Sequence, residues 1–453
     1  MQSSCWRILK GVIMMAKLAI NGGNRVVPEG MIKPWPHITE EDKRAVMEAL
    51  EKASPWRYPF EEVVELEKAW SEWTGMRFSL ACNSGTAALH LCVVACEIGP
   101  GDEVLVPADT FLASASCVLH SNGIPIFVDV DPKTYNIDPK KIEERITERT
   151  KAIVAVDLHG LPADYDEIHA IAQKYGLKVI EDGAQAHGAT YKGKQVGSLG
   201  DCSGCSLNGS KCLSALGEGG LFATNDERMY ELAIRARMFG EYVEPGKPRE
   251  YNAYMMGWNY RLDPLQAAFA RSQLKRLPEM TEWRIRNGTY LTERLKEISG
   301  IQPPYVPPDR THVYFFYPIL VRPEDLGFDE AHVDKFRNVF CRVMNAEGVP
   351  VRAWQTRPVP AQSLFQYLDG YGKGCPWSCP YARKGIKYDP SEYPVASDIC
   401  RRRVVLGHST DSFGPPNGLD LMEKYAEAFH KVLVECRGEF LDFVKAHLSE
   451  IRG

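Results

Sequence analysis

Four short segments hold residues able to do chemistry together, and they follow one another along the chain. In Asn83-Ser84-Gly85-Thr86 a polar, glycine-bearing turn ends one apolar run and opens a helical pattern. The unpaired N–H groups of a helix starting there suit a phosphate, and Gly85 permits close backbone approach; the same residues also make an ordinary Ser/Thr helix cap. Thr110-Phe111 follows Val104-Leu105-Val106-Pro107, and Phe111 there either stacks on a flat ring or fills the core. In Glu181-Asp182-Gly183-Ala184-Gln185 a carboxylate follows the apolar Val179-Ile180. Burying it is costly without a partner. A protonated ring nitrogen is such a partner, and Gln185 is placed to bond a ring hydroxyl; an acidic helix cap is the plain alternative. Finally, Ser206-Leu207-Asn208-Gly209-Ser210-Lys211 precedes Gly217-Glu218-Gly219-Gly220. Small neighbours let Lys211 approach a ligand, and burial lowers an amine's pKa enough for Schiff-base chemistry, although a solvated loop is the usual fate of a lysine. Each pattern alone fits an ordinary structural role. Their order (phosphate turn, stacking aromatic, acid with amide, amine) describes a site for a flat phosphorylated ring.

The first three segments sit just after a predicted strand or at its end. Apolar runs at Phe78–Cys82, Glu103–Val106, Pro125–Val130, Ala152–Val156 and Lys178–Glu181 alternate with helical patterns at Ala87–Ile98, Ala113–Ser121 and Ala163–Tyr175. That alternation predicts an α/β fold with a mainly parallel sheet covered on both faces, and such sheets bind ligands beyond the carboxyl ends of their strands. Two helices are predicted earlier, over Glu40–Lys52 and up to Thr74. Later ones are predicted up to Arg237 and over Asp263–Ser299. Pro303, Pro304, Pro307 and Pro308 then mark a linker into a smaller α+β region, with a strand at His312–Val321, a helix at Ala331–Ala346, a short strand at Val404–Leu406 and two closing helices. The expected division is an N-terminal tail or arm (1–29), a large cofactor-binding domain (30–290) and a small C-terminal domain (291–453).

With 453 residues the chain can build two domains and a large core. A net charge of −5 and the absence of a long basic run argue against a nucleic-acid or membrane partner. The apolar stretch from Cys5 to Ile20 is interrupted by Arg7, Lys10 and Lys17, so it is expected to be neither a signal peptide nor a membrane span; Met14 and Met15 suggest an upstream start or loose tail. Scattered cysteines point to reduced thiols and a cytoplasmic enzyme. Cys202-x-x-Cys205 has metal-ligand spacing but lacks a second pair or a histidine partner, so no metal is expected. Arg401-Arg402-Arg403 is read as a solvated or salt-bridged helix end. No GxGxxG opens the sheet, which disfavours a dinucleotide-binding protein.

The segments NSGTAALHL (83–91), VPADTF (106–111), VDVDPKTYNIDP (128–139), GLPADYDEI (160–168), VIEDGAQAHGA (179–189), SLNGSKCLSALGEGG (206–220) and GWNYRLDPLQAA (257–268) resemble the DegT/DnrJ/EryC1/StrS family. These are fold-type-I enzymes dependent on pyridoxal 5'-phosphate (PLP). Pro34-Trp35-Pro36, Trp56-Arg57, Cys375-Pro376-Trp377, Tyr393-Pro394-Val395-Ala396 and His408 are similar to the subgroup that makes amino-cyclitols and aminohydroxybenzoate. The resemblance implies that Lys211 holds PLP as a Schiff base, Asp182 pairs with the ring nitrogen, Gln185 contacts the ring hydroxyl and Phe111 stacks on the ring. Gly85, Thr86 and Ser206 would hold the phosphate. Asn259 would reach the phosphate of a partner subunit, so a homodimer with shared active sites is implied. Arg57, Tyr58 and His408 are candidates for substrate contact. The implied reaction moves an amino group from L-glutamine or L-glutamate to a keto-sugar or keto-cyclitol. Two rivals are a PLP-dependent dehydratase or oxidase and a non-catalytic regulatory relative. Lys211 argues against the dehydrating branch, which has histidine there, and the intact Asp182, Gln185 and Lys211 argue against a pure binder. The chain departs from the family where P-V-H-L-x-G reads Ala155-Val156-Asp157-Leu158-His159-Gly160, which displaces the histidine. It also departs at Tyr58-Pro59, where a glycine-rich loop is expected, and at Cys205, which stands where an aromatic usually precedes Ser206.

Overall fold

In a computed structural model that describes residues 16–52, 59–243, 248–407 and 413–448, the apolar runs pair into one seven-stranded sheet. Helices α1 (Glu40–Lys52) and α2 (Glu61–Thr74) precede it. Strand and helix then alternate through β1 (Phe78–Cys82), α3 (Gly85–Ala95), β2 (Glu103–Pro107), α4 (Ala113–His120), β3 (Ile124–Val128), the single turn α5 (Pro139–Ile142), β4 (Thr150–Val156), α6 (Tyr165–Tyr175) and β5 (Lys178–Asp182). A small hairpin, β6 (Thr190–Tyr191) and β7 (Lys194–Gln195), leads to β8 (Cys202–Ser206), β9 (Gly220–Thr224) and α7 (Glu227–Arg237). The order is β1-β9-β8-β5-β4-β2-β3. Only β9 runs against its neighbours, pairing antiparallel with both β1 and β8. The sheet is therefore mainly parallel, as expected. Strands β2 and β3 are buried at every position, which matches an apolar run covered on both faces.

Two of these strands carry no strand-like pattern. Strand β8 reads Cys-Ser-Gly-Cys-Ser and is small because α3 lies close against it: a Cβ on Gly204 would sit 3.0 Å from the backbone nitrogen of Leu89. Its side chains alternate in direction. Cys202 joins the cluster around Cys96, and Cys205 joins a different cluster on the other face, so the two cannot ligate a common ion. Among the described residues no group of three His, Cys, Asp or Glu is placed to hold a metal.

The stretch predicted as one helix over 263–299 is two, α8 (Pro264–Lys275) and α9 (Leu277–Leu295). Pro278 lies in the first turn of α9, where its missing N–H is tolerated. Beyond it a four-stranded antiparallel sheet has the order β10-β11-β13-β12. Its members are β10 (Ile301–Gln302), β11 (Phe316–Val321), β12 (Val351–Ala353) and β13 (Arg403–Gly407), interleaved with α10 (Val333–Ala346), α11 (Ser363–Tyr367) and α12 (Pro394–Arg402). Helices α13 (Leu419–His430) and α14 (Arg437–His447) close the described chain. Alternation divides this sheet: Tyr317, Ile319, Val404 and Leu406 pack with α10 and α13, whereas Phe316 and Val405 join the cluster of the larger sheet. Packing also crosses the linear order. Leu18 and Val27 bury against the smaller sheet, while Phe365, Trp377 and Tyr388 bury against the larger one. There the Tyr388 hydroxyl donates to the carbonyl of Pro125 on the edge strand β3 at 2.7 Å. Among the described residues no helix is long and apolar enough to cross a membrane.

At the carboxyl edge the register places Gly220 opposite both Cys82 and Ser206. A Cβ on Gly220 would lie 2.2 Å from the Ser84 carbonyl oxygen. Gly220→Ala is expected to cost about 1–3 kcal/mol by forcing the α3 entry turn away. Urea unfolding measures it, and an unchanged midpoint would contradict this packing.

Candidate active site

The turns that leave the carboxyl ends of β1, β2, β5 and β8 meet around a cavity of about 380 Å³. Gly85, Thr86, Phe111, Asp182, Gln185, Ser206 and Lys211 all line it. The first turn of α3 forms its floor. The Ser84 side chain caps that helix by accepting from the Ala87 N–H at 3.0 Å. A Cβ on Gly85 would stand 2.5 Å from the Ser206 Cβ, so only glycine lets the helix start touch the end of β8. Free N–H groups and the Ser206 hydroxyl together make an anion site. Phe111 is 56% exposed, so it is a wall of the cavity mouth and not a core residue.

Asp182 ends β5 and is buried. Its Oδ2 accepts from the Ser114 hydroxyl at 2.6 Å and its Oδ1 from the Ala184 N–H at 3.2 Å. Burial pushes its pKa up, against those two bonds and the charge of Lys211. Ser114, in turn 2.8 Å from the Thr110 hydroxyl, was not legible in the sequence as a site residue. It is one serine in a helix, and only the packing of α4 against α3, β2 and β3 brings its first turn to the carboxylate.

Lys211 borders the cavity and is half-buried. Nζ lies 4.4 Å from the Phe315 ring centroid, and the Trp35 indole N–H donates to the lysine carbonyl at 3.1 Å. Burial pulls its pKa down to about 8, with Asp182 opposing. The amine is therefore much easier to deprotonate than an ordinary lysine.

The displaced histidine acts through its backbone. His159 has φ 60°, and its N–H donates to Gln185 Oε1 at 2.8 Å. That bond sets the amide orientation and leaves Nε2 as the donor available to the cavity. The imidazole is held neutral by burial and by Arg403, whose Nη1 lies 3.3 Å from His159 Nε2. Arg403 corrects one expectation. Arg401 and Arg402 are salt-bridged, to Asp334 and to Asp398, Glu324 and Glu330. Arg402 and Arg403 are both buried, but α12 ends before Arg403 and β13 turns it toward the larger sheet. There it forms a bidentate pair with Asp109, with Nη2 to Oδ1 at 2.9 Å, and stacks 4.7 Å from the Trp354 ring centroid. Trp354, Phe315 and Phe316 complete the cavity wall; none of the three stood out in the sequence, because aromatic residues are ordinary core.

Asn259 is exposed and does not line this cavity; its carbonyl accepts from Asn83 Nδ2 at 3.2 Å, beside the α3 entry turn. Arg57, Tyr58 and His408 lie outside the described residues.

The donor set fits PLP group by group: a helix start and hydroxyl for a phosphate, a buried carboxylate for a protonated ring nitrogen, an amide N–H for a ring hydroxyl, and an amine for an aldehyde. In cofactor-free protein an amine-directed reagent is expected to acylate Lys211 with a midpoint near pH 8, since only the neutral amine above that pH is nucleophilic. Peptide mapping across pH checks this; a midpoint near the ordinary lysine value of about 10.4 would contradict it.

Residues 36–387 match the DegT/DnrJ/EryC1/StrS aminotransferase family. The chain is 42% identical over 259 residues to GDP-perosamine synthase from Caulobacter vibrioides, covering 57% of this chain and 68% of that one. It is 33% identical over 446 residues to L-glutamine:2-deoxy-scyllo-inosose aminotransferase from Streptomyces lividus, covering 93% and 98%. The crystal structure of 3-amino-5-hydroxybenzoic acid synthase superposes with a TM-score of 0.75 at 29% identity, covering 87% of this chain and 97% of that one. The chain thus belongs to the DegT/DnrJ/EryC1/StrS aminotransferase family and is a PLP-dependent aminotransferase.

Proposed function

We propose that the enzyme transfers an amino group from L-glutamine or L-glutamate to a ketone on a sugar or cyclitol ring. The observation that carries this reading is the convergence of Lys211, Asp182, Gln185 and the α3 entry turn on one cavity. The near full-length similarity to a glutamine-dependent cyclitol aminotransferase supports the donor and acceptor class.

In this reading Gly85, Thr86 and Ser206 hold the cofactor phosphate, Phe111 stacks on the ring, and Gln185 donates its Nε2 hydrogen to the ring hydroxyl. Asp182 pairs with the ring nitrogen, and the Ser114 hydroxyl keeps that carboxylate in place. When bound, PLP supplies an electron sink for the carbanion left when an amine loses its α-proton. Lys211 would hold the cofactor through Nζ until the donor's amine takes its place. The free amine then takes the donor's α-proton and hands it on, as general base and then general acid. The same Nζ works in the opposite direction when the ketone is aminated. Burial serves both halves, because an amine with its pKa near 8 both accepts and returns a proton near neutrality. Phe315, Phe316 and Trp354 exclude water from around it.

The active unit in this proposal is a homodimer in which Asn259 serves the neighbouring chain's phosphate. A cytoplasmic setting fits the free thiols of the described cysteines.

Borohydride treatment of the holoenzyme is expected to fix the cofactor on the Lys211 peptide, and Lys211→Arg to lower turnover by roughly 10²–10⁴-fold. Label on another lysine, or turnover at the wild-type rate, would overturn the assignment. Asn259→Ala is expected to weaken PLP retention at least several-fold in equilibrium dialysis; unchanged affinity would count against the shared site.

A further inference from the structure

Lys211 is the one cation that lines the cavity among the described residues, and it shares the space with Asp182 and Glu218. An amino-acid donor arrives with at least one carboxylate. Inside that wall it meets two like charges and an amine already engaged in the reaction, so its carboxylate needs a cation at the rim.

Arg352 does not itself line the cavity but lies beside two residues that do, Phe316 and Trp354. It is the middle residue of β12, an edge strand of the smaller sheet. It stands opposite Val405 in the register with β13, and Val405 belongs to the face turned toward the larger sheet. Its neighbour Val351 points the other way, into the cluster under α10. Alternation therefore turns Arg352 toward the cleft between the two sheets. Its Cζ lies 5.7 Å from the ring centroid of Phe316, and Phe316 lines the cavity. Two residues on, Trp354 lines it too.

The surrounding arginines are paired. Arg401, Arg402 and Arg403 face carboxylates, and Arg337 donates to the carbonyls of Cys400 and Arg401. Among the described residues no carboxylate lies within ion-pair distance of Arg352, although burial already pulls its pKa below the usual arginine range. A guanidinium that is partly desolvated, laid on an aromatic wall and left without a counter-charge is a receptor for a carboxylate.

We propose that Arg352 binds a carboxylate of the amino-acid donor at the mouth of the cavity and so selects amino acids as donors. This rests on the aminotransferase reading above and extends it to donor recognition. The guanidinium's planar donors match a carboxylate in bidentate fashion, whereas the ketone of a neutral sugar or cyclitol presents no charge to it.

The test uses holoenzyme and the donor half-reaction alone, followed by the change in cofactor absorbance in single turnover. L-glutamine and L-glutamate are compared across wild type, Arg352→Gln and Arg352→Lys. Arg352 is exposed on an edge strand, so the variants should fold, and thermal midpoints check that. Loss of a charge-assisted bond is expected to raise the half-saturating donor concentration by at least about 10-fold in Arg352→Gln. The limiting rate should stay within about twofold, with partial recovery in Arg352→Lys. L-glutamine α-amide should saturate wild type no better than L-glutamine saturates Arg352→Gln. Unchanged donor saturation overturns the proposal, as does a fall confined to the limiting rate. So does a variant in which inhibition by uridine diphosphate is relieved while donor saturation is intact, since that identifies a phosphate site. Wild-type enzyme that responds to no amino acid sinks the aminotransferase donor reading along with it, whereas a responsive wild type with an indifferent variant sinks only the assignment of Arg352.

Discussion

A carboxylate and an amine brought out of bulk water at one cavity govern this molecule. Taking either charge out of water is costly unless partners offset the loss. Asp182 offsets part of the cost with the Ser114 hydroxyl, the Ala184 N–H and the field of Lys211, though burial still raises its pKa. For Lys211 desolvation outweighs the attraction of Asp182, so its pKa falls. The two residues therefore pull apart in function: one is suited to stabilising positive charge on a ring, the other to shuttling a proton. Neither property belongs to the side chain itself. Both follow from the enclosure built by β5, β8 and the aromatic wall.

That enclosure depends on close backbone approach and on one ion pair between sheets. Gly85, Gly204 and Gly220 sit where a Cβ would strike Ser206, Leu89 or Ser84, so the entry turn of α3 can rest on the ends of β8 and β9. Arg403 from the smaller sheet and Asp109 from the larger one are both buried. Removing one partner of such a pair typically costs about 3–5 kcal/mol, because the other is left buried and uncompensated. The pair also holds Trp354 and the neutral ring of His159, and the His159 N–H orients Gln185. The position of the smaller sheet is thereby tied to the donor that Gln185 presents to the cavity.

Much of the scaffold was legible in the chain, since alternating apolar strands and amphipathic helices report burial directly. The predicted helix at 40–52 and the strands at 78–82 and 178–181 match their observed elements closely. Strands β8 and β9 were not legible: Cys202–Ser206 is short of apolar and branched side chains because α3 crosses it closely, and contact between a strand and a helix more than 100 residues away leaves no local pattern. Arg403 was misread within a charge run for a related reason. Arg401 pairs at the surface and the buried Arg402 pairs with more exposed carboxylates, and only the switch from α12 to β13 turns the third arginine toward the larger sheet.

The sequence by itself determined which residues stand at the strand ends and in what order: Gly85 and Thr86, Phe111, Asp182 and Gln185, Ser206 and Lys211. These are local facts: all but Ser206 and Lys211 are set by a turn that follows an apolar run, and those two follow the small residues of Cys202–Cys205. Only the tertiary structure decided that they share one cavity, that Ser114 and the backbone of His159 hold two of them in place, and that Arg352 faces the cleft with no counter-charge among the described residues. The reason is physical. Desolvation and long-range pairing depend on what surrounds a group in space, and residues far apart in the chain supply those surroundings.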